Sequence, residues 1–263
     1  MHKPTKFMIK FASVLLVLGI VIFVVGMIKT GWDFKKLSTV KYVTNTYEIQ
    51  EDFSNISIKT TTADILFVPS DTNKCEVVCH ETITELHSVS VENDTLTIDA
   101  VNTKKWYDYI GIIILDTPKI TVYLPKEYYD LVKVNLTTGD VSLSNLVLDE
   151  LKVTTTTGDT SLSDISCKAL SSTGSTGKIT LNNVVAEELL SVKRSTGNIT
   201  LNACDGGEII LSTTTGNIKG TLLSEKIFKA KSTTGSVSVP DTHTGGNCNI
   251  SVTTGNIKIK IAE

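Results

Sequence analysis

Aromatic residues make up only 6% of this chain, and after Leu131 Phe228 is the one that remains. A core or ligand cage built from rings is therefore excluded from the second half. Proline is also rare, five in 263 residues, and none interrupts the strand-like runs of that half. Clustered basic residues are missing and the net charge is −3. A nucleic-acid partner is not expected, because such binding rests on grouped Lys and Arg that neutralise phosphates. The five cysteines (Cys75, Cys79, Cys167, Cys204, Cys248) are odd in number and contain no C-x-x-C pair. Cys75 and Cys79 share one face of a strand-like run but lie too far apart along it to bridge. All five read as small buried hydrophobes, with neither a disulfide framework nor a metal site.

Catalytic signatures are missing as well. There is no G-x-S-x-G, no phosphate-binding P-loop and no G-x-G-x-x-G. The histidines are His2, His80, His87 and His243, and none stands at zinc-like spacing from a Cys, His or carboxylate. His80, between Cys79 and Glu81, reads as strand surface. No catalytic, cofactor-binding or metal residues are expected. The enzymatic alternative is a polysaccharide-cleaving β-helix, for which no site assembles.

The first positive feature is the uncharged apolar run Phe11–Ile28, extended at its start by Phe7, Met8 and Ile9. It is about long enough to cross a hydrocarbon core of roughly 30 Å. Lys3, Lys6 and Lys10 precede it, Lys29, Lys35 and Lys36 follow it, and Trp32 marks an interface position. A cleaved signal peptide is the rival reading. The exit Met27-Ile28-Lys29-Thr30-Gly31-Trp32 lacks small residues at a cleavage position, so an uncleaved signal anchor is expected. The lysines are nearly balanced across the span. They lean to a cytoplasmic N-terminus, with the C-terminal domain extracytoplasmic and the protein single-pass in the cell membrane.

The second feature is a repeat. The phrase Thr/Ser-Thr-Gly recurs with glycines at Gly139, Gly158, Gly177, Gly197, Gly216, Gly235 and Gly255, spaced 19 or 20 residues apart. A fixed period of this size signals a solenoid. Thr138, Thr157, Thr176, Thr196, Thr215, Thr234 and Thr254 precede the glycines. Aliphatic residues alternate with polar ones on either side, which predicts two short strands per coil with one face inward. Gly supplies a positive-φ corner between them, and the Thr column stacks as a ladder. Two and four residues before each Gly, the outward positions are mostly Thr and Ser, from Asn135/Thr137 to Ser251/Thr253. Such a face could match an ice lattice, but Lys193 and Lys231 interrupt it. Asp140 and Asp159 stack in adjacent coils, yet the column continues as Lys178 and Asn198, so a calcium series is not sustained. Seven coils at ~4.8 Å each give a stack of roughly 30 Å. The final run Ile257–Ile261, with outward Lys258 and Lys260, reads as an edge strand guarded by charge.

The expected architecture is all-β: a β-solenoid or β-helix of 19–20-residue coils over 131–263, after an irregular β region over 47–130. A short tail (1–10), the transmembrane segment (7–28) and a linker (29–46) precede it. Within the irregular region, Thr62-Ala63-Asp64 repeats the corner phrase with Ala in place of Gly and suggests an early coil. The segment Lys104-Lys105-Trp106-Tyr107-Asp108-Tyr109 offers Trp106, Tyr107 and Tyr109 as partner-contact residues; packing on the domain's own core is the alternative.

The apolar N-terminal segment, Ile120-Thr-Val-Tyr-Leu-Pro125, Val134-Asn-Leu-Thr-Thr-Gly139-Asp140 and the serial T-T-G-D/N phrases resemble the bacterial putative-adhesin proteins with β-strand repeats, a broad domain-of-unknown-function family. The resemblance spans roughly 50–260. It implies a bacterial cell-surface β-helix-like domain, includes relatives linked to envelope-stress responses, and carries over no catalytic residues. The expected function is a non-enzymatic, membrane-anchored scaffold for adhesion to a surface polymer or glycan. The alternative is a regulatory or sensory subunit of an envelope-stress system that acts on a membrane protein.

Overall fold

The computed structural model describes residues 3–33, 40–70, 72, 74–102, 116–125 and 128–262. The chain divides into two compact units, 1–41 with 104–117, and 42–103 with 118–263.

The first unit contains α1 (Lys3–Thr30). Its stretch Phe7–Thr30 is long and apolar enough to cross a membrane, and nearly all of its described side chains are exposed. An all-round apolar helix has no polar face to turn to water, so its composition calls for a non-aqueous surrounding. The helix stops at Gly31 in the left-handed region (φ 67°). Gly31 N–H donates to Ile28 O (3.2 Å) and Trp32 N–H to Met27 O (2.9 Å), the paired bonds of a Schellman cap.

The second unit contributes β1 (Tyr42–Ile49), β2 (Asn55–Thr62), β3 (Asp64–Pro69), β4 (Cys75–Thr82), β5 (Glu85–Glu92), β6 (Thr95–Asn102), β7 (Lys119–Leu124), β8 (Tyr128–Thr138), β9 (Val141–Thr157), β10 (Thr160–Thr176), β11 (Ile179–Thr196), β12 (Ile199–Thr215), β13 (Ile218–Leu222), β14 (Lys226–Thr234), β15 (Val237–Ser238), β16 (Gly246–Thr254) and β17 (Ile257–Ile261). All belong to one hydrogen-bonded sheet. From β8 to β12 the strands stack parallel and in register, so like sits on like: Leu143, Leu162, Leu181 and Leu201 form one buried row, and Leu151, Leu170, Leu190 and Ile209 another. The result is β-solenoid-like, with an aliphatic core.

Four expectations change. Each regular coil is one continuous strand of 17 or 18 residues, not two short ones. It bends at a second corner, where Asn145, Asp164, Asn183 and Ala203 adopt φ of 57, 54, 52 and 51°. Asn and Asp tolerate this left-handed conformation better than other side chains. The 20-residue interval before Gly197 arises from an irregularity between Ala186 and Leu189, which inserts one residue without disturbing the corners.

The coils also do not stack in chain order. β12 pairs with β16, and β13 with β17, while β14 and β15 lie on the far side of β16 and β17. The last-made coil is thus inserted beneath the one before it. Ile257–Ile261 is not a bare edge: all five residues pair with β13, and Ile257 and Lys258 pair also with β15. The outermost position falls to β14 and β15, whose residues are more exposed.

The region read as irregular pairs into the same stack. β2, Ala63 and β3 form a coil beside Gly139, with Thr62 opposite Thr138 and Ile65 opposite Val141. β6 and β7 pair parallel on its other side. The sheet then ends in antiparallel strands, β4 against β7 and β1, and β5 against β6. The expected linker 29–46 is shorter than anticipated, because β1 begins at Tyr42.

Candidate functional site

The corner row is built by backbone. Gly139, Gly158, Gly177 and Gly197 N–H donate to Thr157, Thr176, Thr196 and Thr215 O at 2.9–3.0 Å; Gly216 donates to Thr254 O and Gly255 to Thr234 O. Glycine φ values in the row run from 125 to 148°. The next residue adds a side-chain ladder: Asp64, Asp140 and Asp159 Oδ1 accept from the N–H of Asp140, Asp159 and Lys178, and Asn198, Asn217 and Asn256 Oδ1 from Asn217, Asn256 and Ser236. These bonds account for the Asp/Asn column structurally. Two glycine carbonyls are met by inward polar side chains three residues before a corner, from buried Thr213 and half-buried Ser232. Thr213 Oγ1 donates to Gly197 O (3.1 Å) and Ser232 Oγ to Gly255 O (2.8 Å).

Arg194 occupies the same inward column and is buried. Its guanidinium lies over Gly174 and donates to Thr155 Oγ1 (2.6 Å), Thr160 Oγ1 (2.9 Å) and Gly158 O (3.4 Å). Burial pulls its pKa down, with Asp159 acting in the opposite sense. Sequence reading passed over Arg194, because a charged residue in an inward column has no periodic signal of its own.

The exposed positions before each corner form the outer face. Thr154, Thr156, Ser175, Lys193, Ser195, Thr214, Lys231, Thr233, Ser251 and Thr253 are exposed on it. Where this face meets the Ala63 coil, Lys59, Thr61, Asp99, Asn135, Thr137, Thr154 and Thr156 line a groove of about 420 Å³. The aromatic residues Trp106, Tyr107 and Tyr109 fall outside the described residues.

One cluster was missed. Cys79 and Glu81 point inward from β4, while His80 between them stacks on Tyr42 (ring centroids 5.1 Å apart). The β4–β5 hairpin then returns His87 to the same place, which no short spacing motif captures. His87 Nδ1 is 2.7 Å from Glu81 Oε2, and His87 N–H donates to that oxygen at 2.6 Å. Asn45 Nδ2 donates to Glu81 Oε1 (2.6 Å) and Thr60 Oγ1 is 2.8 Å from His87 Nε2. Burial first, then the Glu81 charge, pushes the Cys79 thiol up to about 12. Contrary to expectation, a Cys, a Glu and a His therefore do converge.

Residues 53–263 match the family model described as Toastrack DUF4097. The chain belongs to the Toastrack family. Similar solved structures include a "putative adhesin" from Bacteroides fragilis NCTC 9343 (19% identity, covering 84% of this chain and 97% of that one, TM-score 0.48). A "putative cell adhesion protein" from Clostridium sporogenes ATCC 15579 is similar at 13% identity (84% and 100% covered, TM-score 0.40). A "Putative lipid binding protein" from Parabacteroides distasonis ATCC 8503 is similar at 16% identity (84% and 97% covered, TM-score 0.33). None superposes closely enough to inform the site. No curated protein matches the sequence. In this Toastrack chain all five cysteines are free and buried, as expected for hydrophobic fillers.

Proposed function

We propose that this Toastrack protein is a non-enzymatic cell-surface scaffold, held in the membrane by α1 with its C-terminal domain outside, that contacts an envelope polymer or glycan through its hydroxyl face. The observation that carries this reading is the groove of about 420 Å³ at the Lys59–Asn135–Thr154 end of that face. Its side chains are set on in-register strands, so their spacing repeats from coil to coil and suits a ligand that repeats too. Hydroxyls and the Asn135 amide, with one Lys and one Asp, supply the donors and acceptors a sugar requires.

The full chain in detergent micelles, screened against cell-wall polymers and glycans, tests it. Binding that falls at least tenfold in Thr154→Lys and in Thr156→Lys supports the face. Polymer binding unaffected by both variants overturns it. Capture of a single membrane protein without polymer binding would favour the regulatory alternative, and polymer cleavage would overturn the non-enzymatic reading.

A further inference from the structure

We infer that Cys79, Glu81 and His87 form a binding site for a zinc-class divalent cation. One ligand atom from each lies within 4.8 Å of the others, and all three residues are buried. The donor set is thiol, carboxylate and imidazole, the three classes that zinc accepts, and three protein ligands leave a fourth position open. Bonds of ~2.0–2.3 Å in tetrahedral geometry separate neighbouring ligands by about 3.3–3.6 Å. The trio needs a contraction of at most about 1.2 Å on its wider side, together with widening of the 2.7 Å His87–Glu81 contact.

Charge favours the same assignment. A dication bound by one thiolate, one carboxylate and a neutral imidazole is a neutral unit, which a buried site requires. Coordination deprotonates a thiol outright, which overcomes the cost that burial places on the Cys79 thiolate. Partners for the ligands are already in place. Asn45 Nδ2 and His87 N–H hold the Glu81 carboxylate from both oxygens. With Nδ1 on the metal, Nε2–H donates to Thr60 Oγ1, which is 2.8 Å away. Tyr47 Oη ties down the His87 carbonyl at 3.2 Å. Supports of this kind fix the tautomer and orientation of metal ligands. Thr60 also lines the outer groove, so the site lies one side chain beneath an open surface. A plain His–Glu pair would need no thiol beside it.

The test uses the full chain in detergent micelles, reduced and stripped with chelator, and titrated with Co²⁺ and then Zn²⁺. The expected result is one Co²⁺ per chain, a thiolate-to-cobalt charge-transfer band, displacement by Zn²⁺, and a raised melting temperature. Cys79→Ser should abolish the band with the far-ultraviolet dichroism unchanged, His87→Ala should weaken binding at least tenfold, and Cys248→Ser should leave both intact. Absence of the band in the unmodified protein overturns the assignment whatever the variants do, and so does a band that survives in Cys79→Ser.

Discussion

Substituting alanine for Gly177 tests the physical account of the corner row most directly. The residue sits at φ 125°, where an L side chain is strained by about 1–3 kcal/mol. A Cβ there would overlap Gly158 O and stand 2.6 Å from its carbonyl carbon, against the 3.4 Å at which ordinary contact begins. The nearest atom, Gly158 O at 2.0 Å, sets the requirement: the neighbouring coil would have to withdraw by about 1.4 Å to reach ordinary contact. That movement stretches the bonds made by Gly158 N–H to Thr176 O (3.0 Å) and Thr160 N–H to Lys178 O (2.9 Å). Each is worth roughly 0.5–1.5 kcal/mol. Strain and two weakened bonds together give a loss of about 2–6 kcal/mol. Urea denaturation followed by far-ultraviolet dichroism measures it. Ala63→Gly is the internal control, since Ala63 holds the equivalent corner without a positive φ, and it should change stability by less than about 1 kcal/mol. A Gly177→Ala protein within about 0.5 kcal/mol of the parent would refute the close-approach argument.

Other perturbations probe other parts of the fold. Hydrogen exchange should protect the ladder amides of Ile218–Leu222 as strongly as those of inner coils, with Val237 and Ser238 exchanging fast; the reverse order would contradict insertion of β17 between β13 and β15. Lys178→Asn should raise stability by roughly 0.5–1.5 kcal/mol, because it supplies the missing acceptor in an Asp/Asn ladder, and a loss on denaturation would show that the exposed Lys178–Asp159 pair (3.1 Å) matters more. Cys75, Cys167 and Cys248 have thiols pushed up to about 12, mainly by burial, from an ordinary 9.0. The folded state therefore holds these protons more tightly, so stability is intact below pH 9 and falls from there towards 12, by about 1.4 kcal/mol per pH unit for each thiol. Cys248→Ala should flatten the pH-dependence of the melting temperature above pH 9, and an unchanged slope would count against the burial account.

Much of the fold was legible because a solenoid turns three-dimensional neighbours into a period. The Gly and Thr columns located one corner of every coil, and the aliphatic columns located the core. Thr62-Ala63-Asp64 betrayed an early coil through the same phrase. The second corner was harder to see. Its left-handed positions read Asn145, Asp164, Asn183 and Ala203, a mixed column in which alanine carries no turn signal. The hydroxyl face was legible as a pattern, whereas the groove depends on Lys59 and Asp99, which strand pairing places beside Asn135.

By itself, the sequence determined the apolar N-terminal helix, the all-β repeat, the glycine corners and the inward fate of the cysteines. Each of these depends on residue type and local spacing, which a chain carries without folding. Only the tertiary structure decided the order of the last coils and the meeting of Cys79, Glu81 and His87. Coil order is degenerate in sequence, because identical columns let any coil stack on any other. In the folded chain the coil with the more exposed β14 and β15 stands outermost. The buried trio arises from an antiparallel hairpin whose two strands place their inward side chains together, and neither strand alone specifies that meeting.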